Sequence, residues 1–285
     1  MFPEQFHLSI RAPINQFVQW LVIAYGDLFR TIADIILQGI LFVEWILRGI
    51  PWWGIFIIFL ALAWAASKKI SLVAIVGVAL LVIGLLGLWD LTMQTLALML
   101  ISVLISIAIG VPMGVLLSKS HITRRIVLPI LDVMQTMPSF VYLIPAIMLF
   151  GLGKVPAVLA TIIYAVPPII RLTNLGIRHV DKEVLEASYA FGASPRQILF
   201  GVELPLATPT IMAGLNQTIM MALSMVVVAS MIGARGLGEQ VLNGIQTLDV
   251  GKGLEAGIGI VALAIILDRI TQSLGNKTGK EKAHG

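Results

Sequence analysis

Four histidines, His7, His121, His179 and His284, are the side chains here best suited to acid–base or metal chemistry near neutral pH. They are scattered, and none forms the HExxH pair that sets two imidazoles on one helix face around zinc. No cysteine occurs, which removes thiolate nucleophiles, thiolate metal sites and disulfides. Nucleotide chemistry fares no better. The pairs Gly153-Lys154, Gly251-Lys252 and Gly279-Lys280 are followed by valine, glycine and glutamate, not by the Ser/Thr that a phosphate-binding P-loop requires. Gly257-Ile258-Gly259-Ile260-Val261-Ala262 fits a loose dinucleotide fingerprint, but it lies inside an apolar run with no preceding strand. Close helix packing is the better reading of these glycines, as it is of Gly110 with Gly114 and of Gly253 with Gly257. Asp132 and Asp268 remain as candidates for the proton relay of an ion-coupled transporter. Both fall near the ends of apolar runs and Asp268 adjoins Arg269, so ion pairing or solvation is their expected role.

The elements that would position any site are membrane helices. Of the 285 residues 58% are hydrophobic and 12% charged, with a mean hydropathy of +0.98; soluble domains carry about 25% charged residues. Charges cluster between apolar runs, as spans separated by loops require. The start, MFPEQFHLSIRAP, lacks a basic stretch followed by an apolar core, so no cleaved signal peptide is expected. The net charge of +4 therefore reports orientation before it reports an anionic partner.

Apolar runs at about 51–66, 70–89, 91–117, 126–150, 155–170, 210–233 and 254–274 predict an all-α polytopic membrane protein of about seven transmembrane helices. If all seven cross, Lys68/Lys69, Lys119 to Arg125, the 171–209 segment and the C-terminal tail share one face. That face holds 13 of the 19 lysines and arginines. By the positive-inside rule it is cytoplasmic, with the N-terminus outside. Within an N-terminal segment 1–50, residues 14–50 are apolar but carry Asp27, Arg30, Asp34, Glu44 and Arg48 at intervals, costly charges to place in lipid. They read as one or two amphipathic helices at the outer surface, anchored by Trp20, Trp45, Trp52 and Trp53, with a further span inside 28–47 as the rival. Residues 51–275 then form the membrane domain and 276–285 a cytoplasmic tail.

The longest polar segment between spans, 171–209, divides into two short helices. Asp181 caps the first. Gly192 follows "VLEASYAF" where a left-handed C-terminal cap is expected. Ser194-Pro195-Arg196-Gln197 combines a serine cap, proline at the first helical position and glutamine at the third. Leu204-Pro205 ends or kinks the second helix. A helix-turn-helix for DNA shares this outline, but the second helix here offers one cation, Arg196, carries Glu203, and is tethered between spans. Nucleic acid is therefore not expected. A capped, protruding helix pair suits a partner's groove, and the alternative is a connecting loop that packs on its own spans.

Glu186-Ala187-Ser188, Gly192 and Val202-Glu203-Leu204-Pro205 resemble the EAA signature of ABC importer permeases, with Ser188 in place of the second alanine. "PILDVMQTMPSFVYLIPAIMLFGLG", "PPIIRLTNLGIRHV", "MMALSMVVVASMIGARGLG" and "ILDRITQ" are similar to the glycine betaine/proline betaine permeases of osmoprotectant uptake, a resemblance running from about Trp89 to Gln272. It implies a type I importer fold, a bacterial inner-membrane location and no catalysis in this chain. It also implies two copies of an ATPase subunit that bind ATP and Mg, a separate extracytoplasmic binding protein and a second permease copy. Glu186, Ala187, Ser188, Gly192, Leu204 and Pro205 would then form the segment that enters the ATPase cleft. Arg235 stands where that subfamily would have glycine, which puts the local turn in question.

A solute path is expected along the fourth and sixth spans. There "MQTMPSFVY" and "NQTIMMALSM" bring methionines, hydroxyls, amides and aromatics into otherwise aliphatic segments. Met134, Gln135, Thr136, Phe140, Tyr142, Asn216, Met221 and Ser224 are the candidates; simple packing is the competing role for the methionines and aromatics. Pro138 and Pro145 would kink the fourth span and free carbonyls along the path.

Overall fold

The computed structural model describes residues 11–281; His7 and His284 lie outside them. Helices follow one another as α1 (Arg11–Gly49), α2 (Trp52–Ser67), α3 (Ile70–Leu85), α4 (Trp89–Lys119), α5 (His121–Thr136), α6 (Ser139–Phe150) and α7 (Lys154–Arg178). Next come α8 (Lys182–Ala190), α9 (Pro195–Ile198), a π turn (Leu199–Glu203), α10 (Leu204–Ala229), α11 (Leu237–Thr247) and α12 (Val250–Glu281). All seven apolar runs are helical, as lipid demands of any backbone that must bond within itself. Among the described residues four helices are long and apolar enough to cross a membrane alone: Trp89–Lys119, Lys154–Arg178, Pro195–Ile232 and Val250–Gly275. Two bent pairs, α1 with α2 (101°) and α5 with α6 (99°), raise the number to six if each is one span. Helix α3, with 16 residues, is a shorter apolar helix of about 24 Å.

Helix α7 is the centre of the bundle. It packs most extensively on α10 and α4, and Ala157, Ala160, Thr161, Ala165, Ile169 and Thr173 along it are wholly buried. Glycines on the neighbours permit that approach. A Cβ at Gly110 of α4 would stand 2.3 Å from the Ile169 side chain, and one at Gly114 would stand 2.8 Å from the Ile170 carbonyl oxygen. On the other flank, Gly214 of α10 faces Leu172 and the backbone of Ile169, and Gly176 of α7 faces Ala207 and Thr210. The expectation for Gly253 and Gly257 is corrected in part, because a Cβ at either would meet nothing within 4 Å. The tight contact there belongs to Gly244, whose Cβ would fall 2.7 Å from the Gly253 amide nitrogen.

The N-terminal stretch is a single helix assignment broken at Tyr25 (φ −126°). Asp27, Arg30 and Asp34 are exposed, but the C-terminal half packs on α4 and α6 with Ile40 and Glu44 buried. Glu44 accepts from Lys154 at the start of α7 and from Arg48 at 3.4 Å, while Arg48 also reaches Asp90 of α4 at 3.5 Å. Charge that sequence reading assigned to a polar surface thus ties α1 to the bundle. Such a pair compensates the desolvation each ion would otherwise suffer.

Candidate coupling module and polar path

The capping signals operate as their residue types dictate. Asp181 accepts from the Glu183 amide at 2.9 Å and opens α8. At its end the Ala193 amide bonds the Ser188 carbonyl (3.1 Å) and the Gly192 amide bonds the Tyr189 carbonyl (2.9 Å), a Schellman closure with Gly192 at φ +78°. Ser194 and Gln197 form a reciprocal capping box at the start of α9. What differs is the far end. The second helix is not short and does not stop at Leu204-Pro205; α9, the π turn, α10 and a closing 3-10 turn (Ser230–Ile232) run as one 38-residue element, Pro195–Ile232. The π turn is the physical reason. A proline ring clashes with the carbonyl four residues back and lacks an amide. Immediately before Pro205 the Leu204 amide bonds Leu199, five residues back, in a widened turn that accommodates the ring.

The resulting module exposes what a partner would grip. No residue of α8 is buried; Glu186, Ala187 and Tyr189 are exposed, Phe191 is 92% and Phe200 69% exposed. Ser188, the departure from the EAA pattern, is half-buried and bonds its own helix at the Val184 carbonyl (2.7 Å), so the hydroxyl needs no partner elsewhere. Leu204 and Pro205 are half-buried at the foot of α10.

The path candidates divide. Met134 and Tyr142 are brought together across the α5–α6 break, where the Tyr142 hydroxyl donates to the Met134 carbonyl. The break falls at Met137-Pro138, while Pro145 lies inside the continuous α6. Gln135, Thr136 and Phe140 are exposed at the same break. Asn216 turns instead to α12: its amide donates to Asp268 (3.1 Å) and accepts from the Thr271 hydroxyl (2.5 Å). Met221 packs on the main core, and Ser224 is exposed with its hydroxyl on the Met220 carbonyl.

The two carboxylates considered for proton relay are partnered. Asp132 pairs with Arg171 of α7, and Asp268 accepts from Asn216 and from Gln272 (2.6 Å). Successive helical residues do not face each other, which is why Arg269 does not serve Asp268. Sequence reasoning missed the buried polar groups of the central helices: Ser106 on α4, Thr173 and Asn174 on α7 and Thr218 on α10 each hold a buried polar atom with no hydrogen-bond partner among the described residues. It also missed what anchors the turn after α10, which it had questioned only at Arg235. Arg235 keeps the left-handed backbone (φ +59°) that glycine would take, with its side chain exposed. Ser230 donates to its carbonyl, and the Leu237 amide bonds Thr95 of α4 at 2.9 Å.

The helices long and apolar enough to cross a membrane carry a capped, exposed helix pair, and among the described residues no group of three or more His, Asp or Glu side chains could hold a metal ion. Residues 106–280 match the family of binding-protein-dependent transport system inner membrane components. The chain belongs to that family and is a permease subunit, not an enzyme. It is 52% identical over 265 residues to the glycine betaine transport system permease protein OpuAB of Bacillus subtilis (strain 168), covering 92% of each chain. It is 51% identical to the glycine betaine/proline betaine transport system permease protein ProW of Escherichia coli (strain K12), over 92% of this chain and 74% of that one. The glycine betaine/carnitine transport permease protein GbuB of Listeria monocytogenes is 49% identical, over 90% and 92%. Among solved structures, the MetNI methionine ABC transporter in inward-facing form matches with a TM-score of 0.55 and 25% identity, over 66% of this chain and 92% of its own.

Proposed function

We propose that this chain is the membrane subunit of an ATP-driven importer of glycine betaine or a closely related quaternary-ammonium solute. Identity near one half, across nine-tenths of the chain, to permeases named for glycine betaine is the observation that carries the substrate. In this reading two ATPase subunits bind the exposed module of two permease copies. Glu186, Ala187 and Ser188 present the docking helix, Gly192 sets the turn, and Leu204-Pro205 passes its displacement into α10. The continuity of the chain from Pro195 to Ile232 supports such a lever, since the π turn at Leu199–Glu203 carries the helix past Pro205 instead of ending it. The basic-residue bias supports an N-terminus outside, a cytoplasmic C-terminus and a cytoplasmic module. Met134, Gln135, Thr136, Phe140 and Tyr142 at the α5–α6 break, with Met221 and Ser224 on α10, are retained as the solute path; Asn216 takes part through α12. Selectivity belongs chiefly to the separate binding protein, whose aromatic faces suit a cation that cannot donate hydrogen bonds. Choline, carnitine or an amino acid is the competing substrate.

The test is uptake of labelled glycine betaine in cells lacking other osmoprotectant transporters, expressing this chain with the cognate ATPase and binding protein or with either omitted. Uptake requiring all three is the expected result. Uptake by this chain alone, collapsed by an ionophore, would overturn the reading in favour of ion-coupled transport.

A further inference from the structure

One ion pair, a buried carboxylate on a half-exposed lysine, belongs neither to the cluster around Glu44 nor to the polar path. Glu203, the last residue of the π turn, is 5% exposed, and both its carboxylate oxygens lie 2.6 Å from the ammonium of Lys119, the last residue of α4. The partners are 84 positions apart in the chain. A carboxylate so enclosed is stable only with its counter-charge in place. Lys119 is suited to its own position as well, because a cation is favoured by the partial negative charge of a helix C-terminus.

The π turn is what aims the carboxylate. On an unbroken α-helix, advancing about 100° per residue, positions 198 and 203 would sit roughly 140° apart around the axis. The wider i→i+5 turn advances less per residue, and Ile198, Glu203 and Ala207 all face inward, each buried. Phe200 and Gly201, between them, stay exposed. The backbone irregularity that admits Pro205 therefore also directs a charge from the root of the exposed module into the bundle, onto α4.

That contact matters because α4 has no covalent route to the module. Helix α7 leads into α8 and α10 continues from α9, whereas α4 leads away into α5. Resting on the coupling reading above, we propose that Lys119 and Glu203 are positioning residues of the transport cycle. Their ion pair binds the cytoplasmic end of α4 to the root of the module, so that a displacement imposed by the ATPase reaches α4 and α10 together. The pair touches neither solute nor nucleotide; it acts through the two helices it joins.

The experiment reconstitutes the full importer in proteoliposomes with Glu203→Gln, Lys119→Met or the reversed pair Lys119→Glu/Glu203→Lys, and measures solute taken up per ATP hydrolysed. The single variants should hydrolyse ATP while that ratio falls on the order of tenfold, inside the 5–150-fold span of typical coupling energies. The reversed pair should recover much of it. Should Lys119→Met fail to assemble, Glu203→Gln, which keeps the side-chain shape, decides the matter. Uptake and hydrolysis falling together at an unchanged ratio would overturn the proposal and leave a purely structural pair. Gly192→Val in the same assay separates the two readings. If it leaves the ratio intact, the module itself is not the coupling element; if it lowers the ratio and Glu203→Gln does not, only the α4 connection fails.

Discussion

Replacing Gly192 by valine should lower coupled transport about 5- to 30-fold while leaving the bundle standing. At φ +78° an L-residue pays roughly 1–2 kcal/mol for the left-handed backbone, and a β-branched one is a true outlier there. Sterics add nothing, since a Cβ at 192 would meet no atom within 4 Å. Nor can packing resist the change. Helix α8 buries no residue, and its turn is closed by the two Schellman hydrogen bonds, each worth about 1 kcal/mol net. A penalty of that size shifts the ordered fraction of the module about 5- to 30-fold. The assay pairs uptake and ATP hydrolysis in proteoliposomes with thermal unfolding in detergent. Transport per ATP should fall by that factor in Gly192→Val with an unchanged unfolding midpoint, and Gly192→Asn, which tolerates the left-handed region, should retain most of the parent activity. Parent-like transport by the valine variant would refute the reasoning, and so would a lowered midpoint, which would place the turn in the folded core.

Gly114→Ala forces a Cβ against the Ile170 carbonyl and the Thr173 side chain; overpacking of this kind costs about 1–3 kcal/mol. Its unfolding midpoint should drop, while Gly257→Ala, with open space around it, should not be destabilised. Thr95→Val removes the acceptor of the buried Leu237 amide, a loss of about 1–3 kcal/mol. Hydrogen exchange at the turn after α10 should accelerate in that variant, and unaltered protection would show that the amide finds another acceptor.

Local signals were legible in the sequence. The serine–glutamine box at 194–197, the glycine turn at 192, the cap at Asp181 and the break at Pro138 all depend on residues within a few positions of one another, and each stands where its chemistry required. Proline was the ambiguous sign. At 138 it separates two helices, but at 205 the π turn ahead of it lets the helix continue, and nothing in the residue itself tells these outcomes apart. Contacts between distant segments were not legible. Glu44 with Lys154, Glu203 with Lys119 and Asn216 with Asp268 join positions 110, 84 and 52 apart, so the charges read as surface features until the helices are placed. The glycines divide for the same reason: whether one is a packing site depends on the helix opposite, which is why Gly110 and Gly114 conform to the expectation and Gly257 does not.

Helix α4 buries Thr92, Thr95 and Ser102 completely, and each hydroxyl donates to the carbonyl four positions earlier, at 2.8, 3.0 and 2.8 Å. That arrangement bears on the order of membrane insertion. Roughly 35 further residues must be synthesised after α4 before α7 begins, several seconds at about 5–20 residues per second. During that interval the faces of α4 later covered by other helices look into lipid, where an unsatisfied hydroxyl would favour retreat to water. Because these three side chains carry their acceptors with them, they need no partner from a later helix while α4 waits in the bilayer; Ser106 of the same helix, whose buried hydroxyl has no partner among the described residues, lacks that protection.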